Sequence, residues 1–342
     1  MRLSVLLLGL YGCALVFLQG CEPADKPISL PPPGDATFAE LNTGIEYENT
    51  VFVNLETGVQ TVVPNGSYDL AFETGADGFR IWTNGGNLFF TAPLGTTDFN
   101  TVVIPANVTN WRADHAHRHP DSTWLTRGVN PNTLRVDSVV HILDRGRVSY
   151  RNSPQRYLKF RVLAVTDTAY QIQFGLPNST EATSTVVWVP KREGYTYTYY
   201  NFTNGVVNFA PPANEWHFSL GQYTHIYYDL VPENRYYLVR GVLTNREIGL
   251  ETAVVDTLWD NYPTFDSLRA NALPQFTGMF VPDAGRFGFD WKRYDFDANA
   301  YVLQARNYFL LRDRQQRVYK CQFISYNIPS RGRAGFRYQR IQ

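Results

Sequence analysis

The stretches TVFVNLETGV, residues 50–59, and TYYNFTNGV, residues 198–206, decide the fold, because each has the pattern of a β-hairpin. In both, a run of β-branched and aromatic residues, which favour pleated and half-buried surfaces, leads into a short turn that ends in glycine. Gly58 and Gly205 occupy the turn position at which a three-residue loop with a bulge needs a positive φ. The two stretches therefore predict two similar hairpins, one in each half of the chain.

The segments that follow the two hairpins also repeat along the chain. In each half an aromatic-led strand comes next, then a strand that runs into Thr-Asn, and finally two further strands. The matching segments are YDLAF (residues 68–72) and WHFSL (216–220), RIWTNG (80–85) and GVLTNR (241–246), ILDR (142–145) and LLRD (310–313), and YLKFRV (157–162) and VYKCQF (318–323). A repeat of this kind predicts two copies of one structural plan. We place the boundary near Arg192, which gives domains over residues 37–192 and 193–342.

The pattern of the strands indicates the fold class. In the closing strands apolar and polar residues alternate, with Lys159 and Arg161 on one face, which is typical of a sheet with one side in water. Glycine, asparagine and aspartate turns separate the strands, and only residues 248–259 and 265–272 are compatible with short helices. We therefore predict an all-β protein made of two tandem antiparallel β-sandwich-like domains of similar plan, with few short helices.

The first residues have the composition of a targeting segment. Arg2 is followed by an almost wholly apolar run over residues 3–18, which ends in a glycine directly before Cys21. This arrangement predicts a lipoprotein signal peptide over residues 1–20, whose removal leaves a lipidated Cys21 at the start of the mature chain. The alternatives are an ordinary signal peptide or a membrane anchor, although the run is shorter than the roughly 20 apolar residues of a spanning helix. Residues 21–36 are rich in proline, which predicts an extended tether.

Cysteine content and charge exclude several classes of protein. Of the three cysteines, one lies within the predicted signal peptide and Cys21 is the predicted lipidation site, so Cys321 has no partner for an internal disulfide. Cys321 lies in a predicted strand, which favours a buried structural thiol. The formal net charge is zero and the sequence has no basic stripe, which argues against a nucleic-acid partner.

The sequence contains no motif that predicts an enzyme. A nucleophile elbow, a phosphate-binding glycine loop, a His-Glu-x-x-His helix and a dinucleotide fingerprint are all absent. Aromatic residues make up 15% of the chain, which is explained either by packing within sheets or by a surface that stacks on a flat ligand or a sugar. We therefore expect a binding protein rather than an enzyme.

Three groups of segments resemble the HmuY family of bacterial surface lipoproteins, whose founding members bind haem. They are YDLAF (68–72) with GFRI (78–81) and Asn84; YYNFTNG (199–205) with Trp216; and DWKRY (290–294), VYK (318–320) and GFRY (335–338). The likeness covers most of residues 45–342, and the lipoprotein start is also typical of the family. The resemblance implies packed antiparallel sheets, tethering at the outer membrane or cell surface, binding of haem, and transfer of haem to an outer-membrane transporter.

The resemblance also implies where haem ligands belong. Haem-binding members use a pair of histidines or a pair of methionines, and one ligand follows the strand that matches YDLAF and WHFSL. The corresponding positions here hold Glu73 and Gly221, and neither ligates haem iron in the usual way. Without residues 1–20, the one methionine is Met279, so a methionine pair is excluded. The chain therefore departs from the family pattern at the expected ligand positions.

The chain has six histidines, of which three form a dense cluster in one short segment. His115, His117 and His119 alternate along the chain, and in an extended segment they project to one side, about 6.5 Å apart. Imidazoles at this spacing predict a metal site for zinc or copper, and the alternative is a polar loop. His141 begins a predicted strand, and we interpret it as structural.

The remaining histidines lie in the second copy. His217 stands where the first copy has Asp69, directly after Trp216, and His225 lies among tyrosines that include Tyr223. Imidazoles beside aromatic rings are what a haem pocket needs. The predicted haem site therefore consists of His217, His225, Tyr223 and Trp216. The alternative is that both histidines are packed and hydrogen-bonded within strands.

These features together predict a membrane-anchored surface lipoprotein of the HmuY type that binds haem or a related ligand for uptake. The alternative is a surface module that binds glycans or proteins without haem, in which exposed tyrosine and tryptophan supply the contact surface. A glycan hydrolase is a third hypothesis, and it requires two carboxylates close together in an aromatic cleft.

Overall fold

Strands and short 3₁₀-helical segments make up the regular structure of the chain. A computed structural model of the protein describes residues 35–118, 122–146, 148–231, 234–258 and 261–342. Within these ranges the strands are β1 (Thr37–Asn42), β2 (Asn49–Val53), β3 (Gln60–Pro64), β4 (Leu70–Glu73), β5 (Ile81–Thr83), β6 (Phe90–Pro93), β7 (His141–Asp144), β8 (Tyr157–Val165), β9 (Ala169–Gly175), β10 (Thr185–Pro190), β11 (Tyr197–Asn201), β12 (Gly205–Val207), β13 (Phe218–Ile226), β14 (Tyr236–Thr244), β15 (Glu251–Asp256), β16 (Lys292–Asp295), β17 (Ala300–Leu303), β18 (Asn307–Arg312), β19 (Val318–Tyr326) and β20 (Arg333–Arg340). The 3₁₀-helical segments there are Asn65–Ser67, Gly85–Asn87, Pro105–Asn107, Glu181–Thr183, Ala213–Glu215, Arg246–Ile248 and Ala270–Met279.

The strands form four larger antiparallel sheets and one small hairpin sheet. Two sheets have five strands each, in the orders β1-β20-β19-β18-β15 and β10-β9-β8-β7-β6. Two have four strands each, in the orders β12-β11-β4-β5 and β14-β13-β2-β3, and β16 pairs with β17. The predicted all-β fold of antiparallel sheets is confirmed.

Helical structure is scarce, and one of the two predicted short helices is wrong. Residues 251–256 form strand β15, which pairs with β18 along its whole length. Cross-strand pairing outweighs the local helical pattern there, because packing against neighbours dominates strand formation. The other segment is partly helical, since a 3₁₀ stretch begins at Ala270. None of the helices within the described ranges has the length and apolar character needed to span a membrane.

Both predicted hairpins are present. β2 pairs with β3, and β11 pairs with β12. The turns contain Gly58 and Gly205, each with a φ of 75°, a left-handed conformation that glycine adopts without a steric penalty. Asn54 and Asn201 begin the two turns, and each side chain accepts hydrogen bonds of 2.9 and 3.2 Å from the N–H groups two and three residues later. The two turns are therefore closed by the same contacts.

Each hairpin pairs with a strand of the other sequence copy. β2 lies beside β13, with Val53 opposite Phe218, and β11 lies beside β4, with Tyr200 opposite Leu70. In addition, β1 pairs with β20 near the end of the chain. Strands β4 to β12 therefore complete two sheets among themselves, and β1 to β3 complete the other two larger sheets with strands from the second half.

The boundary predicted near Arg192 does not separate the sheets. The described residues from 35 onward belong to one compact unit, within which the hairpin of each predicted copy belongs to a sheet of the other copy. The physical reason is that both copies carry the same alternation of apolar and polar residues. Each hairpin therefore matches the edge of β4 and the edge of β13 equally well. The sequence pattern identifies the strands but does not select their partners.

On β2 and β11, neighbouring side chains lie on opposite faces of the sheet and pack into different apolar layers. On β2, Val53 enters the core between its own sheet and the sheet that contains β1. Phe52 points the opposite way, into an aromatic cluster shared with β4, β5 and β11. On β11, Tyr200 packs into the core with β8 and β9, whereas Tyr197 and Tyr199 join the aromatic cluster. The two four-stranded sheets thus face each other, and each is backed by a five-stranded sheet.

Lysines at matching positions of the two copies are buried rather than solvated. The expectation that Lys159 faces water is wrong, because its side chain is fully buried. Its ammonium group donates to the carbonyl oxygens of Phe99, Thr101 and Ser179 at 2.6, 2.8 and 2.6 Å. Lys320 makes the matching contact in the second copy, at 2.6 Å from a backbone carbonyl oxygen. Loops over the outer faces of the five-stranded sheets thus satisfy charges that alternation alone assigns to water.

Two residues that the sequence predicts as structural are buried. Cys321 has no exposed surface and lies in the core beside β13 and β20. His141 begins β7 and is 8% exposed, and its Nδ1 lies 3.1 Å from the carbonyl oxygen of Val139. Both residues therefore act through packing.

The exchange of hairpins predicts which fragment of the chain folds alone. Residues 65–212 contain all strands from β4 to β12 and both sheets that these strands form, so we expect this fragment to unfold cooperatively in urea. Residues 37–192 lack β11 and β12 and leave β1 to β3 without partners, so we expect no cooperative transition. Far-UV circular dichroism during urea titration is the measurement. A cooperative transition of residues 37–192 alone contradicts the exchanged pairing as the basis of folding.

Candidate functional site

An aromatic-lined cleft lies between the two four-stranded sheets. Its empty volume is about 920 Å³, a figure that includes space open to solvent. Its walls are buried rings, with centroid distances of 4.4 Å for Tyr68–Phe209, 4.8 Å for Tyr68–Tyr199 and 5.0 Å for Phe52–Trp216. Because Phe52 comes from β2 and Tyr199 from β11, the walls exist only when the exchanged hairpins are in place.

A loop of the first copy, residues 114–118, lines this cleft. The buried Asp114 carboxylate accepts hydrogen bonds from the Thr83 N–H at 2.7 Å, the Thr83 hydroxyl at 2.9 Å and the Trp124 N–H at 2.9 Å. Burial raises the pKa of Asp114 to about 6. At the other end of the loop the guanidinium carbon of Arg118 lies 3.9 Å from the centroid of the Tyr197 ring. Both ends of the loop are therefore held by the β12-β11-β4-β5 sheet.

Three histidines meet beside the cleft. The ring centroids of His115 and His117 are 4.2 Å apart, and those of His117 and His225 are 6.4 Å apart. His117 Nδ1 lies 3.3 Å from a carboxylate oxygen of Asp283, and this hydrogen bond lowers the pKa of Asp283 to about 2. His117 Nε2 faces Gly285, where any side chain would overlap the imidazole. Loops of both copies and strand β13 thus converge on the His117 ring.

The segment that holds His115 and His117 is a turn rather than an extended strand. The Arg118 N–H donates to the His115 carbonyl oxygen at 2.9 Å, and the His117 N–H lies 3.3 Å from His115 Nδ1. The expected spacing of imidazoles along an extended segment is therefore wrong. Within the described ranges, no group of three or more His, Cys, Asp or Glu side chains is arranged to hold a metal ion. His119, the third predicted metal ligand, lies outside the described residues, so the metal site stays a prediction.

The fold does not bring His217 and His225 together. His217 directly precedes β13 and His225 lies near the far end of that strand, so at about 3.3 Å per residue they are roughly 26 Å apart. His217 is 4% exposed, its Nδ1 accepts a hydrogen bond from the Leu55 N–H at 3.1 Å, and its ring packs against Tyr319. Burial lowers the pKa of His217 to about 4. His217 is therefore a packed core residue, and the two histidines do not form one site.

The other residues of the predicted haem site lie at or beside the cleft. Trp216 and Tyr223 line it and are 8% and 3% exposed. The Trp216 Nε1–H, the Tyr223 hydroxyl and the buried His225 Nδ1 have no hydrogen-bond partner among the described residues. Trp216, Tyr223 and His225 are thus available to a ligand, whereas His217 is not.

Glu73 and Gly221 occupy the two positions at which the family resemblance implies a residue that ligates iron, and neither can serve as one. The Glu73 carboxylate accepts hydrogen bonds from the N–H groups of Phe79 and Arg80 at 3.2 and 3.1 Å, and it pairs with the Arg80 guanidinium at 3.3 Å. Gly221 lines the cleft but has no side chain, and an added one would meet Thr50. Neither position therefore offers a free side chain to the cleft.

Sequence reasoning does not identify Arg118 or Asp283 as residues of the site. Each lies in a loop that follows an isolated bridge, Thr91 with Arg112 in the first copy and Thr252 with Val281 in the second. When the two bridges are aligned, Asp283 corresponds to Asp114. This alignment of the repeats is the sequence signal that points to Asp283, but the contact with His117 depends on the two loops meeting in space.

Comparison with known proteins identifies one family. A model of the HmuY family, described as HmuY protein, matches residues 46–338. No curated protein and no solved structure matches the chain. The family match extends from the turn before β2 into β20 and therefore includes the cleft and the residues around it.

Buried neutral histidines predict a loss of stability in mild acid. Burial lowers the pKa of both His141 and His217 to about 4, whereas an unfolded histidine titrates near 6.5. Between these pH values the unfolded chain binds more protons than the folded chain, so each histidine decreases the free energy of unfolding as the pH falls. The contribution of each to this loss approaches about 3 kcal/mol once the pH reaches the folded-state pKa.

Urea titrations near neutral pH and at about pH 4.5 measure this effect for His217. The variant His217→Asn keeps an acceptor for the Leu55 N–H but has no group that titrates in this range. We expect the variant to lose less stability on acidification than the natural protein, by about 2 kcal/mol. The same loss in both proteins would show that His217 is protonated in the folded state.

Proposed function

The chain belongs to the HmuY family, and from this premise we propose that it is a membrane-anchored surface protein that binds haem for uptake. The HmuY family is a family of binding and uptake proteins, and the proposed activity is accordingly binding without catalysis. Its members are cell-surface proteins, and we propose the same location for this chain.

One observation carries the haem proposal: two imidazoles from distant parts of the sequence meet beside an aromatic cleft. Haem iron takes imidazole nitrogens as axial ligands, and binding through His117 Nε2 requires Gly285, which this nitrogen faces, to move aside. The His117 and His225 ring centroids are 6.4 Å apart, and the buried His225 Nδ1 has no partner among the described residues. The Asp283 carboxylate orients His117 through Nδ1, as carboxylates commonly do for ligating histidines.

We therefore assign the proposed iron contacts to His117 and His225, with Tyr223 and Trp216 as cleft walls. His117 and Tyr223 rings are 6.5 Å apart, and both residues line the cleft. His225 also packs against Phe289, with ring centroids 5.0 Å apart. An apolar surround of this kind favours a flat, hydrophobic ligand over a hydrated ion.

Attachment to the membrane is the second part of the proposal. The signal peptide over residues 1–20, the lipidation site at Cys21 and most of the proline-rich tether lie outside the described residues. Their support is the apolar run before Cys21. A lipid-anchored protein at the outer membrane or cell surface is positioned to pass haem to an outer-membrane transporter, which is the proposed partner.

A second candidate function is binding of a glycan or protein without haem. The observation in its favour is the β16–β17 hairpin, where Phe296 is 87% exposed. The rings of Tyr294 and Phe296 and those of Tyr294 and Tyr301 have centroids 5.2 Å apart. Exposed aromatic rings supply contact area for sugars and proteins. A glycan array with the mature domain tests this function directly.

Titration of the mature domain with hemin tests the haem proposal. We expect a saturable shift of the Soret band with a single haem per chain. His117→Ala and His225→Ala each remove one proposed iron ligand, and each variant should bind hemin at least about tenfold more weakly, a change of ~1.4 kcal/mol.

His217→Asn is the matched control, because it changes a buried histidine that directly precedes β13. This variant should bind hemin as the natural domain does. Absence of a saturable shift in both oxidation states of iron contradicts the proposal, and so does a loss of affinity that is as large in His217→Asn as in His225→Ala.

Replacement of the proposed lipidation site tests membrane attachment. In a bacterial host, the natural protein should fractionate with membranes and carry lipid on its first mature residue. Cys21→Ser should retain its leader or be released into the soluble fraction, because serine provides no thiol for acylation. Mass spectrometry of the mature N-terminus is the measurement, and a lipid-modified Cys21→Ser protein contradicts this assignment.

A further inference from the structure

Arg118 carries a positive charge in the aromatic cleft. Its guanidinium carbon lies 3.9 Å from the centroid of the Tyr197 ring and 5.9 Å from that of Tyr199. It also interacts with the hydroxyl groups of Tyr197 and Tyr68 through hydrogen bonds. These cation–π and hydroxyl contacts hold the guanidinium group in place, but they do not neutralise its charge.

Two carboxylates that line the cleft together with Arg118 have other partners. Asp114, on the same loop, uses its oxygens to accept hydrogen bonds from Thr83 and Trp124. Glu247 accepts a hydrogen bond from the Tyr197 hydroxyl at 3.1 Å and pairs with Arg246 at 3.2 Å. Within the described ranges no carboxylate forms an ion pair with Arg118. The guanidinium group therefore retains donors for a further acceptor.

Three more donors in the cleft have no acceptor. The Trp82 Nε1–H, the Trp216 Nε1–H and the Tyr223 hydroxyl lack hydrogen-bond partners among the described residues. Their side chains are 2%, 8% and 3% exposed, and all three line the cleft. A buried donor without a partner costs about 1–3 kcal/mol, so native proteins satisfy such groups with ordered water or a ligand.

We infer that the cleft recognises a flat organic anion, whose carboxylate pairs with Arg118 and whose oxygen atoms accept from Trp82, Trp216 and Tyr223. The aromatic walls provide stacking and edge contacts to a planar apolar body. Planar guanidinium groups match carboxylates in a bidentate geometry, which gives charge and orientation together. Recognition of the anion is separate from metal ligation, because none of these four residues is among the proposed iron contacts. The inference deepens the proposed function and rests on it for the choice of a porphyrin as the probe.

Metal-free protoporphyrin IX and its dimethyl ester test the inference on the full mature chain. The two probes share one flat ring system, but the ester has no carboxylate charge. Quenching of tryptophan fluorescence reports binding, because Trp82 and Trp216 line the cleft. We expect the diacid to bind at least tenfold more tightly than the diester. Equal affinities, or no binding of either probe, overturn the inference.

The Arg118→Gln variant tests whether the difference in affinity between the diacid and the diester is due to Arg118. Glutamine keeps a hydrogen-bonding head group but removes the charge, so the preference for the diacid over the diester should fall at least tenfold. Equal weakening for both probes overturns the role of charge at Arg118. Trp82→Phe is a second variant that keeps an aromatic ring without the N–H, and it should weaken the diacid severalfold. If Arg118→Gln fails to fold, the diacid and diester affinities of the natural protein decide.

The two proposals have separable outcomes. His117→Ala and His225→Ala test iron ligation, and their readout is the binding of hemin. If hemin binding is lost in these variants while the diacid and diester bind equally, iron ligation stands and anion recognition fails. If the diacid binds through Arg118 while hemin produces no saturable Soret shift, anion recognition stands and the haem proposal fails.

Discussion

The pairing of each hairpin with the central strand of the other repeat is the constraint on which the rest of the structure depends. β2 must lie beside β13 and β11 beside β4 before either four-stranded sheet exists. Each of these sheets then contributes one face to a core with a five-stranded sheet and the other face to the aromatic cleft. Folding of the cores and formation of the aromatic cleft are therefore the same event, because the same strands supply both.

Strand register controls the cleft as closely as it controls the cores. On β11, Tyr197 and Tyr199 face the cleft while Tyr200 faces the core of β8 and β9. Successive side chains of a strand alternate between faces, so a slip of one residue would exchange these sets. The Asn54 and Asn201 turns hold the register at the ends of the two hairpins. The cleft walls are thus positioned by sheets, whereas Arg118 and His117 are carried by a loop of the first repeat, from which His117 contacts Asp283 of the second repeat.

The two repeats have kept their framework and diverged at the site. The buried Lys159 and Lys320 make matching bonds to backbone carbonyl oxygens of covering loops. Asp114 and Asp283 occupy matching places, but the first binds backbone and hydroxyl groups of its own repeat and the second holds His117 of the other. Asp114 therefore fixes its own loop, whereas Asp283 contacts the loop of the other repeat. This difference makes the site asymmetric. The two repeats therefore present different groups to the cleft.

Local sequence determined the elements of this protein, and tertiary structure decided how they combine. Hairpin signals, the glycine turns at Gly58 and Gly205, the all-β class and the buried Cys321 follow from residue type and period, which act over a few neighbouring positions. Residue type and period do not predict which strands the hairpins pair with or that Lys159 is buried. They also do not predict the separation of His217 from His225 or the contact of His117 with Asp283. Alternation tells which face of a strand is apolar, but two repeats with the same alternation offer equivalent edges, and only long-range packing chooses between them. For the same reason the charge of Arg118 in the aromatic cleft is a property of the folded chain, since its tyrosine neighbours come from strands far away in the sequence.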